Sequence, residues 1–205
     1  FLSFRDEAFV MSGEEKQRGA HPLLSAVKFR GSTLVSTYSL LGFNGNIAAL
    51  LWIRGETPAA VQGVFSKLVQ AGLLRLFRIE RTLFGIARES PYSKKPIRPM
   101  GENPRSPYLI IYPFVKIPDW YLLPFAERKE MMGEHIRCGL AHIGIRQLLL
   151  YSTGVDDQEF IVSYETRSLI KFQDLVMDLR STKARSFTER DTPIFLCLRK
   201  SMKDV

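Results

Sequence analysis

The residues most able to carry out chemistry stand close together in this sequence. Tyr112, Lys116, Trp120 and His135 bring a phenol, an ammonium, an indole and an imidazole into about two dozen residues. An imidazole can bind a metal and an ammonium can bind a carboxylate. This combination favours oxidative chemistry on an anionic ring system over a role in packing alone.

These side chains fall on a predicted strand, the loop that leaves it and the helix that follows. Tyr112 and Lys116 belong to the strand and Trp120 to the loop. His135 belongs to a helix predicted over 124–138, which has an apolar face. A strand, loop and helix in this order can place all of these groups around one site.

The same pattern of strands, turn and helix occurs twice along the chain. In the first half an Asn44-Gly45 turn joins two strands, and Thr57-Pro58 begins a helix. The predicted strands cover 34–41, 47–53, 83–87, 148–152, 160–164 and 194–198, and the predicted helices between them 57–72 and 168–179. The repeat predicts an α+β fold, in which two ferredoxin-like repeats form a dimeric α/β-barrel-type structure with central antiparallel sheets and outer helices.

The repeat also predicts four segments. Residues 1–26 are polar and weakly patterned and form an N-terminal arm, while 27–92 form the first ferredoxin-like half. Residues 93–107 are rich in proline and basic side chains, typical of a linker loop, and 108–205 form the second half. The linker holds the densest basic stretch, which includes Arg98 and Arg105.

Composition limits the class of protein. The chain has 205 residues, a formal net charge of +8 and a pI near 9.6, but no motif of a nucleic-acid-binding fold, so no nucleic-acid partner is expected. The uncharged run from Gly31 to Ile53 contains polar residues and a turn signal, which favours two strands over a membrane span. Two cysteines without a spacing motif favour a reducing, cytoplasmic compartment. No secretory signal is visible, and the absence of a first methionine leaves room for a missing leader.

Two motifs resemble a known family. The strand and loop read Tyr112-Pro113-Phe114-x-Lys116 followed by Trp120-Tyr121, and the helix reads Met131-Met132-x-Glu134-His135. Together they resemble the haem-binding half of the chlorite dismutase superfamily, which includes the coproheme decarboxylases. The likeness extends to the segments 38–42, 154–160 and 191–195. It implies haem or iron coproporphyrin as cofactor and a homo-oligomer, usually a ring of five subunits.

The resemblance also implies roles for single residues. His135 falls on the axial ligand to iron, with His142 as the fallback, and Met132 lies beside it on the helix. Tyr112 falls on the tyrosine that carries a radical in coproheme decarboxylases, and Lys116 on the lysine near the reacting propionate. The further porphyrin-binding residues expected are Arg98, Arg105, Trp120 and Arg180, and for Trp120 the alternative is packing against the helix of His135.

The distal residue separates the activities of the family. Chlorite dismutation depends on a distal arginine, and counting back from Gly154 puts that position on Gln147. Arg146 is adjacent, but strand alternation points it to the opposite face. The resemblance therefore favours a coproheme decarboxylase over a chlorite dismutase.

One motif departs from the family pattern. Many relatives have an acidic residue between threonine and alanine, where this chain reads Thr182-Lys183-Ala184. Because lysine cannot accept a hydrogen bond from an imidazole N–H, the acceptor that orients His135 must be a carbonyl or a water, or the electronics of the ligand differ.

Several functions follow as hypotheses. The first is peroxide-dependent decarboxylation of coproheme to haem b, with porphyrin and hydrogen peroxide as the partners. The alternative is a haem-binding sensor, carrier or redox subunit without turnover. A chlorite dismutase is third, and a scaffold that binds no porphyrin is fourth.

Overall fold

The computed structural model of the chain describes residues 1–6, 14, 34–93, 96–98, 100–101, 106–201 and 204. Arg105 lies outside the described residues, as do His21 and Lys94-Lys95. The chain divides into two compact units, one of Phe1–Thr82 with Cys197–Val205 and one of Leu83–Leu196. The bounds of the predicted arm, halves and linker stay a prediction.

Helices and antiparallel strands make up both units, which confirms the expected α+β fold. The strands are β1 (Leu2–Phe4), β2 (Leu34–Ser39), β3 (Ala49–Arg54), β4 (Phe77–Ile79), β5 (Tyr108–Lys116), β6 (Arg146–Tyr151), β7 (Phe160–Thr166), β8 (Thr188–Arg190) and β9 (Phe195–Arg199). The helices are α1 (Pro58–Gln70), α2 (Leu73–Leu76), α3 (Asp119–Leu122), α4 (Phe125–Ala141) and α5 (Leu169–Arg180), with a 3-10 helix at Lys183–Phe187. Closure of the sheets into a dimeric barrel stays a prediction.

The first unit is an antiparallel sheet covered by α1. Its strands run in the order β4-β1-β3-β2-β9. The uncharged run 31–53 supplies β2 and most of β3, so the predicted pair of strands is confirmed there. Thr57 caps α1 by accepting a hydrogen bond from the Ala60 amide at 3.1 Å, a contact of about 1 kcal/mol. Val64 and Leu68 lie on the apolar face of α1 and are buried in the core of this unit.

The second unit is built on β5, β7 and β6. Tyr112 lies directly opposite Val162 on β7, and Gln147 of β6 lies opposite Tyr164. Because opposite residues of antiparallel strands share a face, these four side chains occupy one face of the sheet. Helix α5 packs there, with Leu175 and Leu179 in the same cluster, and this face carries the site described below.

The segment 83–87 was predicted as a strand, and this prediction is wrong. It forms a single bridge, in which Ile86 and Tyr151 exchange hydrogen bonds at 2.8 and 2.9 Å. Gly85 passes so close to β6 that an added Cβ would lie 2.8 Å from the Cβ of Leu150. The segment therefore meets β6 at one bridge and does not form a strand.

Two further elements differ from expectation. Trp120 lies in the short helix α3 and not in a loop, because its amide bonds to the carbonyl of Ile117 at 3.1 Å and starts a helical turn. The helix of His135 continues beyond the predicted end to Ala141. None of the helices in the described part of the chain is long and apolar enough to cross a membrane.

Candidate functional site

A cavity of about 510 Å³ lies in the second unit, against the β5–β7–β6 face. Helices α4 and α5 and residues within 88–93, 96–98 and 180–191 supply the rest of its wall. Pockets of about 300–1,000 Å³ are typical of sites for organic ligands and cofactors. The residues predicted for function that line the cavity are Arg98, Tyr112, Lys116, Met132, His135, Gln147 and Arg180.

His135 reaches the cavity from α4 with a fixed ring orientation. Its Nδ1 atom lies 2.9 Å from the hydroxyl oxygen of Thr182. That hydroxyl donates its own proton to the carbonyl oxygen of Leu179 at 2.7 Å. The Thr182 oxygen can therefore only accept from the imidazole, so Nδ1 carries the proton and Nε2 keeps its lone pair. A neutral imidazole with a bare Nε2 is the form that binds a metal.

Burial keeps this histidine neutral. Burial away from water lowers the pKa of His135 to about 4, and the nearby positive charge of Lys116 contributes a smaller part of this shift. At neutral pH no proton competes for Nε2. The orienting acceptor is thus a threonine hydroxyl, where the sequence led us to expect a carbonyl or a water.

The residue before His135 ties α4 to the same segment. The carboxylate of Glu134 accepts a hydrogen bond from the Lys183 amide at 3.1 Å. Two consecutive residues of α4 therefore hold two consecutive residues of the segment that follows α5. The Lys183 side chain takes no part in this contact.

Lys116 presents a held ammonium group at the end of β5. Its Nζ donates to the carbonyl of Ala184 at 2.8 Å and to the hydroxyl of Thr188 at 3.2 Å. An ammonium has three N–H donors, and the described residues accept hydrogen bonds from two of them. The third N–H can therefore bind a ligand. Burial and then the charge of Arg185 lower the pKa of Lys116 to about 8, so it remains mostly charged at neutral pH.

Trp120 lies beneath Lys116 and is not part of the cavity wall. It is 3% exposed, its ring centroid lies 4.6 Å from the Lys116 Nζ, and Phe187 packs against it at 5.5 Å. A cation over an indole face is an attractive contact. The structure thus brings Trp120 to the lysine and leaves its predicted contact with a porphyrin untested.

Tyr112 lines the cavity beside a second tyrosine that the sequence analysis missed. Its ring lies beside that of Tyr164 on β7, with the ring centroids 6.2 Å apart, and burial raises the pKa of both phenols. In the sequence Tyr164 has the alternation of a core residue, and only the register of β5 with β7 reveals its neighbour. Because Tyr164 stands two residues after Val162 on a strand, the sequence alone could have predicted that both side chains lie on the buried face.

Gln147 and Arg146 both reach the cavity wall, although they point to opposite faces of β6. Gln147 shares a face with Tyr164. The Arg146 guanidinium lies 3.1 Å from the buried carboxylate of Glu165, which neutralises it. The charge beside Gln147 is therefore engaged in an ion pair.

A group of charged residues occupies the wall near Tyr112. The carboxylate of Asp191 lies 3.3 Å from the guanidinium of Arg185 and 3.8 Å from that of Arg180. The sequence analysis did not single out Arg185, and it noted Asp191 only as the first residue of the segment 191–195, without a role in a site. With Arg98 and Lys116, these arginines give the cavity the cations that a polycarboxylate ligand needs.

The family model described as chlorite dismutase matches residues 15–200 of the chain. The chain belongs to the chlorite dismutase family. This confirms the resemblance seen in the sequence, which the motifs around Tyr112 and His135 carried.

Two coproheme decarboxylases are similar in sequence to this family member. That of Mycolicibacterium smegmatis is 28% identical over 179 residues, which cover 86% of this chain and 77% of the relative. That of Staphylococcus saprophyticus is 31% identical over 160 residues, which cover 70% of this chain and 64% of the relative. Both relatives are named for a reaction, which confirms the expectation of an enzyme.

Solved structures of the family show the same fold. The chlorite dismutase of Candidatus Nitrospira defluvii in complex with imidazole superposes with a TM-score of 0.87 at 23% identity, over 99% of this chain and 90% of that one. A variant of the same protein in which an arginine is replaced by alanine gives a TM-score of 0.88, also at 23% identity and with the same coverage. At this identity the likeness establishes the fold of the chain.

Proposed function

We propose that the protein is a coproheme decarboxylase that uses hydrogen peroxide to convert propionate side chains of iron coproporphyrin into vinyl groups. One observation carries the proposal: Tyr112, Lys116 and His135, from a strand and a helix, line the same cavity. The names of the two relatives support the same substrate.

The residues of the cavity fit an iron porphyrin. His135 would hold the iron through Nε2, and the porphyrin would supply its own ring nitrogens as the other ligands. The apolar side chains of Met132, Leu149 and Val162 suit the faces of the macrocycle. The cations Lys116, Arg98 and Arg180 suit its carboxylates. When bound, the iron porphyrin supplies with peroxide the oxidising power of the reaction.

Each residue then has a task in the proposed reaction. His135 holds the iron, and the free donor of Lys116 binds the carboxylate that is to be lost. The Tyr112 phenol would lose an electron and a proton, which end on the peroxide oxygens as water forms, and would become a radical. Its oxygen then takes a hydrogen atom from the β-carbon of the propionate. Loss of one more electron, with peroxide as the final acceptor, would break the bond to the carboxyl carbon, release carbon dioxide and leave a vinyl group.

The test is product analysis. Ferric coproheme is added to the purified protein, hydrogen peroxide is titrated in, and product masses are followed by chromatography. Stepwise loss of carboxyl groups is expected from the unaltered protein and from Tyr108→Phe, a change on the same strand outside the cavity. Full decarboxylation by Tyr112→Phe, with unchanged porphyrin binding, would contradict the proposal.

A second candidate is a haem-binding sensor, carrier or redox subunit. The observation that favours it is the Thr182 hydroxyl at His135, since a neutral hydroxyl draws the Nδ1 proton less strongly than a carboxylate does. Tight porphyrin binding without loss of mass under peroxide would support this candidate. A chlorite dismutase is disfavoured because Gln147 stands at the distal position and Arg146 is paired with Glu165.

A further inference from the structure

We propose that Glu165 is a positioning residue, whose buried carboxylate anchors the backbone next to Arg98 and so keeps Arg98 at the cavity, where it can bind a ligand carboxylate. The proposal rests on the function proposed above, because an anionic porphyrin is the ligand that needs this cation. The anchored residues are Met100 and Gly101, which follow Arg98 in the predicted linker.

Glu165 lies on the face of the sheet that is turned away from the cavity. Side chains alternate along β7, and Val162 and Tyr164 of this strand line the cavity. Only 1% of Glu165 is exposed. A buried carboxylate needs donors close to it, because an unpaired charge in the interior is costly. The donors that reach Glu165 are therefore held firmly in place.

Two donors from different parts of the chain reach this carboxylate. The backbone N–H of Gly101 donates to Oε1, with 2.6 Å between the nitrogen and the oxygen. The Oε2 atom lies 3.1 Å from a guanidinium nitrogen of Arg146, the first residue of β6. Gly101 has a φ of 86°, which residues with a Cβ rarely adopt, so glycine suits this approach to the carboxylate. Glu165 thus joins the predicted linker to the sheet.

Met100 holds the same piece of backbone by packing. Its side chain is 2% exposed, and its Sδ atom lies 3.8 Å from the hydroxyl oxygen of Ser163, which shares a face of β7 with Glu165. Arg98, in contrast, lines the cavity on the other face. Since three residues span at most about 11 Å, a fixed Gly101 keeps the backbone of Arg98 within that distance.

The contribution of Arg98 to binding depends on this anchor. Arg98 is exposed, so its own packing does little to fix its backbone. Ordering a segment when a ligand binds costs conformational entropy and subtracts from the affinity. With Gly101 held by Glu165, the backbone is ordered before the ligand arrives. The attraction between Arg98 and a ligand carboxylate then adds to the affinity.

A double-mutant cycle tests the coupling between the two residues. Glu165→Met keeps the length of the side chain and removes both oxygens that hold the anchor. The affinity for ferric coproheme is measured by titration of the Soret absorbance. We expect Arg98→Gln to weaken binding about five-fold in the unaltered protein and less than about two-fold in the Glu165→Met background. Equal losses in the two backgrounds would overturn the proposal.

Lys116 provides the matched control cycle. It is a second cation of the cavity, but Ala184 and Thr188 hold its ammonium, and neither belongs to the anchor. Lys116→Met should therefore weaken binding equally in the unaltered protein and in Glu165→Met. Coupling of Glu165 to Lys116 as strong as its coupling to Arg98 would indicate general damage to the cavity and would overturn the proposal.

A second measurement needs no porphyrin. The Gly101 amide, bonded to a buried carboxylate, should exchange its hydrogen slowly in the unaltered protein and faster in Glu165→Met, as followed by NMR. Rapid exchange of this amide in the unaltered protein would overturn the proposal, even if Glu165→Met fails to fold.

Turnover decides the proposed function separately. If the unaltered protein binds coproheme and does not decarboxylate it, the proposed function is overturned, while the cycle and the exchange measurement still decide the role of Glu165. If coproheme does not bind at all, both proposals are overturned.

Discussion

The Nδ1 atom of His135 lies 2.9 Å from the hydroxyl oxygen of Thr182, whose own proton is committed to the carbonyl of Leu179. This chain of two hydrogen bonds fixes the tautomer of the imidazole without any charged group. It starts at the end of α5 and finishes on α4, so the packing of these two helices determines which nitrogen can bind a metal.

Replacing Thr182 by valine should weaken the site while keeping its shape. Valine cannot accept the Nδ1–H bond, so the ring loses its orienting partner. We expect the affinity for ferric coproheme to fall about 10–100-fold, as measured by titration of the Soret absorbance. Thr182→Ser keeps an acceptor and should bind like the unaltered protein. Equal binding by Thr182→Val would show that the hydroxyl does not orient the ligand.

Replacing His135 by glycine should remove the axial ligand and leave a space for a small one. The spectrum typical of a histidine-bound ferric porphyrin should disappear, and added imidazole should restore it. His142→Gln is the matched control, since the Nε2 atom of His142 lies 2.8 Å from the exposed carboxylate of Asp178. If His142→Gln loses this spectrum and His135→Gly keeps it, the ligand is His142 and not His135.

The charge of Lys116 predicts how porphyrin binding changes with pH. A pKa of about 8 means that the ammonium is charged below this pH and neutral above it. The affinity for coproheme should therefore fall as the pH rises from about 7 to about 9, because the carboxylate loses its cation. Lys116→Met should bind weakly over the whole range and show no such step. The same pH dependence in Lys116→Met would mean that another group titrates.

Asp156 should be needed for stability and not for chemistry. Its Oδ2 atom accepts hydrogen bonds from the Phe84 backbone N–H at 2.6 Å and from the side-chain Nε2 of Gln158 at 2.5 Å, and Gln158 is buried. Asp156→Ala should lower the free energy of unfolding by about 2 kcal/mol, as measured by urea denaturation. The exposed neighbour Asp157, changed to alanine, should alter it by less than about 0.5 kcal/mol. Equal effects would refute a structural role for this turn.

The sequence predicted the elements that carry the site, because their signals are local. Tyr112 and Lys116 stand four residues apart on one strand, and the helix of His135 shows its own apolar face. Thr57-Pro58 and Ser168 mark the beginnings of α1 and α5 with their capping side chains. Such patterns need no information about the rest of the chain.

The contacts that tune the site could not be predicted in this way. Thr182 lies 47 residues from His135 along the chain, and the two meet only because α5 ends beside α4. Tyr164 reaches Tyr112 through the register of two strands, which a one-residue shift would abolish. The segment 83–87 has the composition of a strand, but the approach of Gly85 to Leu150 gives it another path.

The paired contacts of Glu134 and His135 with Lys183 and Thr182 couple ligand binding to local opening of the chain. If the segment at 182–183 detaches, His135 loses its orientation at the same moment, so the open state binds iron less tightly than the closed one. A ligand that binds only the closed state stabilises it in proportion to its occupancy. The amide of Lys183, which donates to Glu134, should then exchange its hydrogen more slowly in the loaded protein and report from outside the cavity that the site is filled.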